Sequence, residues 1–195
     1  MIKKSLLELY EQSTEDQLNE GLNWYTNAHM FAYKLSEEYG IDFDKVCGVI
    51  SALSPSVSWD KNKENTEAML FEHRYKTGLP YNYSTYGNNV KKAKSILEKG
   101  YPDKFFNMKS SPKTLSFYMN ILDPELDRFV TIDRHAYCAW RGWKKTDIKR
   151  IPKLTGKHYT RVAKSYVKGA KHLNIHPSQL QAVVWITYRD LQNKE

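Results

Sequence analysis

The stretch FDKVCGVISAL, residues 43–53, constrains the fold more than any other. It is apolar almost all round, and a helix without a polar face has to be enclosed by other elements. Asp42 or Asp44 is placed to start it. Ser54-Pro55 stops it, because the residue before a proline avoids the α region. The rest of the chain therefore has to wrap a central helix.

The flanking segments have the helical period to do so. From Thr14, a candidate N-cap, to Gly40, a natural stop, Leu18, Leu22, Tyr25, Ala28, Ala32, Leu35 and Tyr39 form one apolar stripe. A polar helix is expected from Trp59 to about Tyr75, then the loop TGLPYNYSTYG, then a helix in NNVKKAKSILEKG. Another follows Pro112, and the segment FVTI leads extended into one that starts after Asp133. In HYTRVAKSYVKGAKHL, Arg161, Lys164, Lys168 and Lys171 share one face, and Val162, Tyr166, Ala170 and Leu173 share another. The last helix, SQLQAVVWITYRDLQ, is expected to be capped by Ser178. No repeat, no low-complexity tract and no strand alternation interrupts this order. The expectation is a single all-α domain of two helical lobes, residues 1–40 plus 130–195 and residues 41–129, with a cleft between them.

Charge narrows the partner. Residues 144–171 hold ten lysines and arginines against one acid, Asp147, and so account for all of the net charge of +8. A basic segment concentrated on a folded domain points to a polyanion, unless it is only a solvated face. Fourteen tyrosines and five tryptophans are a large stock of rings for core packing or base stacking. No apolar run approaches membrane-spanning length, and MIKKSLLELYEQ is too polar for a secretory signal, so a cytoplasmic protein is expected. Cys47 and Cys138 are expected as buried free thiols. Two cysteines cannot supply a four-thiolate site, and His172 and His176 flank a helix break rather than a ligand pair, so no metal or other cofactor is expected.

Three segments, in order, resemble the helix–hairpin–helix DNA glycosylases, the superfamily of endonuclease III. GVISALSPSVSWDKN is similar to the family's buried helix, Leu-Ser turn and following helix, with Leu53, Ser54 and Asn62 at the matching positions. YGNNVKKAKSIL is similar to the family's Gly-led Lys-Ala helix through Gly87, Lys92, Ala93 and Ile96. PKTLSFYMN and TIDRHAYCAWRGW resemble the end of the hairpin motif and the segment after it, through Lys113, Thr114, Asn120, Asp133 and His135. Lys113 and Asp133 lie twenty residues apart, close to the family's separation. Together these segments cover about residues 46–142. Where the family has Gly-x-Gly before the lysine, this chain has Ser110, Ser111 and Pro112, so hairpin contacts to a phosphate would fall to the two serines. The flanks GLNWYTNA and LQAVVWITYRD lie outside the family pattern and point to a divergent branch.

The resemblance implies base excision, and the chemistry asks for these residue types. Breaking an N-glycosidic bond builds positive charge at C1′, which a fixed carboxylate stabilises. A neutral lysine amine can attack the same carbon and form a Schiff base. Lys113 is the implied nucleophile and Asp133 the implied carboxylate. Ser54, Trp59, Asn62 and His135 are the implied substrate pocket, with His135 in an orienting role. The implied partner is double-stranded DNA with one base flipped out, bound by a monomer through Ser110, Ser111, Arg161, Lys164, Lys168 and Lys171. Read without the resemblance, Lys113 is a solvated first-turn residue and Asp133 an N-cap, and Trp24, Tyr25 and Trp59 are core residues. Two alternatives stay open: a bacteriophage-type transferase that adds an amine to an activated thymine on a similar scaffold, and an inert DNA-binding module.

Overall fold

The computed structural model describes residues 3–194, and among these every regular element is helical. The α-helices are α1 Lys4–Glu11, α2 Glu15–Tyr39, α3 Phe43–Leu53, α4 Trp59–Tyr75, α5 Gly87–Lys99, α6 Pro112–Leu122, α7 Arg134–Arg141, α8 Gly156–Leu173 and α9 Pro177–Lys194. Short 3-10 turns at Pro102–Lys104 and Lys145–Arg150 complete the set. No described helix is long and apolar enough to cross a membrane.

Helix α3 is the enclosed helix that its composition demands. Every residue from Val46 to Leu53 is buried, and α2, α4, α5 and α6 pack around it. Helix α2 begins at a capping box: the Thr14 hydroxyl accepts from the Gln17 N–H, and the Gln17 side chain accepts from the Thr14 N–H. It ends at Gly40, whose φ of 61° ends the helix in the left-handed region.

Two apolar clusters form. One joins α2, α3, α4, α5 and α6; the other joins α1, the segment 130–140, α8 and the inner face of α9. Helix α2 runs between them: its apolar stripe joins the first cluster, and it also lies along α9. Helix α1 was not expected as a structural element, yet Leu6 is fully buried in the second cluster. Helix α9 starts one residue before the expected cap, with Pro177 in its first turn. Ser178 is buried and donates instead to the Pro124 carbonyl at 3.0 Å. The segment 129–132, expected as extended, forms no ladder.

Helices α2 and α9 approach closely enough to exclude a methyl group. A Cβ at Gly21 would stand 2.5 Å from Val183 Cγ2 and 2.6 Å from its Cα. Backbone cannot yield as a side chain can, so Gly21→Ala has to push the helices apart. The expected cost is about 2–3 kcal/mol, at the upper end of overpacking penalties. A thermal melt checks this, and an unchanged midpoint would contradict the packing.

Candidate active site

Lys113 and Asp133 open onto the same cleft. Each stands where a helix begins. Lys113 follows Pro112 in the first turn of α6 and is half-buried. Asp133 is the N-cap of α7: its Oδ1 accepts from the Ala136 N–H at 2.7 Å. Its Oδ2 accepts from the Trp185 indole N–H at 3.1 Å. Both carboxylate oxygens are thus tied, one to its own helix and one to α9, which fixes the rotamer. Capping and presentation to the cleft are compatible, because Asp133 has an acceptor to spare for each donor.

The walls are aromatic. Trp24 lies 5.2 Å from Trp59 and 5.8 Å from Phe117, ring centre to ring centre, and Trp185 completes the lining beside Asp133. Polar groups are few and anchored. The Asn62 amide donates to the Ile50 carbonyl at 3.1 Å, leaving its buried Oδ1 without a partner. Gln181 Oε1 accepts from the Tyr25 hydroxyl at 2.7 Å, and burial pushes that phenol well above its ordinary pKa. Ser54 is half-buried at the end of α3 and donates to the Ser51 carbonyl at 3.0 Å. The cleft volume is about 140 Å³. A cavity of about 150 Å³ accepts a benzene ring, so this one has room for a single flat ring.

Tyr159 holds the segment that delivers Asp133. Its hydroxyl donates to the Val130 carbonyl at 2.7 Å and accepts from the Ile132 N–H at 3.0 Å, with Ser116 Oγ 3.2 Å away. One phenol thereby satisfies the backbone of a segment that has no strand partner. Burial pushes its pKa up to about 12, so it remains a hydroxyl. Tyr159→Phe leaves a buried N–H and a buried carbonyl unpaired. It is expected to cost about 1–3 kcal/mol in a urea titration. A variant as stable as the parent would remove Tyr159 from this positioning role.

Of the residues expected in the pocket, Ser54, Trp59 and Asn62 line the cleft together with Lys113 and Asp133. His135 does not. Two steps along a helix turn a side chain about 200°, and His135 faces a separate cavity on the other side of α7, its ring 6.2 Å from that of Tyr188. Tyr25 is a buried core residue, as expected, and Trp24 packs against the same cluster; both also contribute to the cleft wall. Phe117, Thr131, Gln181 and Trp185 were not singled out in the sequence. The WITYRD flank carried a weak signal for Trp185, an aromatic beside two charges.

The loop before α6 is internally satisfied. Asn107 Oδ1 accepts from the N–H groups of Lys109 and Ser110 and from the Ser110 hydroxyl; the Ser111 N–H donates to the Asn107 carbonyl. Ser110 and Ser111 thus spend their donors within the loop. On α8 the segregation is as expected. Arg161, Lys164, Lys168 and Lys171 are exposed, and Val162, Tyr166 and Ala170 are buried. Arg161, Lys164 and Lys168 flank a shallow groove with Lys157. Cys47 and Cys138 are buried free thiols, and burial raises the pKa of each.

The chain belongs to DUF7178, described as a family of unknown function, whose model matches residues 1–192. No curated protein and no solved structure matches it.

Proposed function

We propose that the protein is a DNA glycosylase with an associated lyase step, acting on a base flipped out of duplex DNA. The observation that carries this reading is the meeting of Lys113 and Asp133, each at a helix start, on one aromatic cleft of single-ring size. In this reading the flipped base lies against the wall that Trp24, Trp59 and Phe117 form, and its sugar lies toward Lys113 and Asp133. The Lys113 amine attacks C1′ as the C1′–N bond breaks. The base leaves with the bonding electrons and takes up a proton. The Asp133 carboxylate offsets the positive charge at C1′; the amine then loses a proton, the C1′–O4′ bond breaks as the C=N bond of the Schiff base forms, and O4′ takes up a proton to become a hydroxyl. The free Asn62 Oδ1 is an acceptor suited to an N–H on the ring edge. The presence of two separate apolar clusters supports a two-lobed glycosylase-like arrangement. The exposed face of α8 supplies phosphate contacts to a monomer on duplex DNA.

The test is incubation with duplexes that each carry one modified base, modified pyrimidines first, followed by mass analysis. Release of a free base supports the reading. A base that stays in the strand with added mass supports a transferase on this scaffold instead. Unchanged strands throughout the panel contradict both.

A further inference from the structure

Arg134 and His135 leave the aromatic cleft and enter a second cavity of about 470 Å³, between the turn Lys145–Arg150 and the outer face of α9. Its lining includes Arg134, Lys145, Lys149 and Arg189, and no carboxylate. All four cations are exposed, and none forms an ion pair among the described residues. Two of them are held. The Lys145 ammonium donates to Asn193 Oδ1 at 3.1 Å, and its backbone N–H donates to Gln192, which pins the turn to α9. The Arg189 guanidinium stacks 4.3 Å above the Trp185 ring. His135 projects between them with its buried Nδ1 unpartnered. Burial, and then Arg134, Arg189 and Lys145, lower its pKa against the pull of Asp133, so the ring is neutral near pH 7.

Four like charges around one concavity repel one another, and no ion pair among the described residues offsets them. Two planar guanidinium forks and two ammonium groups suit a multiply charged tetrahedral oxyanion better than a single carboxylate. We propose that this cavity is a phosphate-binding site. The Arg189–Trp185–Asp133 chain of contacts sets it back to back with the aromatic cleft. A phosphodiester in a DNA strand and a free phosphate or pyrophosphate ion share the chemistry. The site does not depend on which reaction the cleft performs.

The experiment uses the full chain and three charge-matched variants. Lys149→Gln/Arg189→Gln removes two cations from the cavity. Lys34→Gln/Lys91→Gln removes two exposed cations from α2 and α5. Lys149→Gln/Arg134→Gln is a second cavity variant that leaves the Arg189–Trp185 stack in place. Pyrophosphate binding is read by calorimetry and binding of a fluorescein-labelled duplex by anisotropy, with circular dichroism confirming the fold. Each cavity variant is expected to lose about tenfold or more in affinity for at least one probe, against little change in the α2/α5 control. A loss for the duplex, with a salt slope lowered by about 0.9 per contact removed, assigns the site to strand phosphates. A loss for pyrophosphate alone assigns it to the free ion. Equal behaviour of cavity and control variants toward both probes overturns the proposal.

Discussion

Asp133→Asn is expected to slow base release by a factor of about 100 or more, the scale of losing one preorganised electrostatic group at a developing charge. The substitution is close to isosteric, and asparagine is as good an N-cap as aspartate, so helix α7 should still start at residue 134. The carboxylate nevertheless serves two donors at once, the Ala136 N–H and the Trp185 indole. An amide has a single acceptor oxygen for both. One donor is left facing an NH₂ group, and a stability loss of about 1–3 kcal/mol should accompany the rate loss. The two effects separate in experiment. Trp185→Phe removes the indole donor without touching the carboxylate, so it should relax the orientation of Asp133 while keeping its charge. Its rate is expected to fall less than that of Asp133→Asn. A rate for Asp133→Asn within a factor of a few of the parent would make Asp133 a helix cap and nothing more.

Lys113→Ala is expected to abolish covalent capture of DNA altogether while leaving the fold intact. A half-buried first-turn lysine with no ion pair among the described residues contributes little to stability. Its loss should leave the cleft walls standing, since the aromatic contacts of Trp24, Trp59 and Phe117 do not involve it. Lys113→Arg is the informative companion. It keeps the charge for phosphate and the length of the side chain, but a guanidinium stays protonated and cannot attack carbon. Loss of capture in both variants with duplex binding retained separates a nucleophile from a phosphate contact.

Local signals in the sequence were read from interactions that close within one turn or one helix. Thr14 and Gly40 bracket α2 because capping is a contact between residues three or four apart. The two faces of α8 follow from a 3.6-residue period. Asp133 is legible as a cap from its place before a helix, and it lines the cleft with Lys113, its partner in the family pattern. What the sequence did not disclose lies in contacts across the chain. Trp185 reaches Asp133 from 52 residues away, Tyr159 reaches Val130 from 29 and Gln181 reaches Tyr25 from 156. No local pattern marks such pairs. His135 went astray for a simpler reason. Its match to the family pattern implied a place in the pocket, whereas the helical turn between it and Asp133 directs the two side chains into different cavities. Ser178 was read as a cap on residue type alone, whereas the proline before it had already opened the helix and freed the hydroxyl for Pro124.

In the proposed reaction Lys113 forms a covalent bond to a sugar carbon in the aromatic cleft. Borohydride trapping reads that bond: the full chain is incubated with duplexes that each carry one modified base, reduced, digested and mapped by mass spectrometry. A reduced adduct with at least one duplex is expected, located on the Lys113 side chain and absent in Lys113→Ala. An adduct on another amine, or none with any duplex, would contradict it.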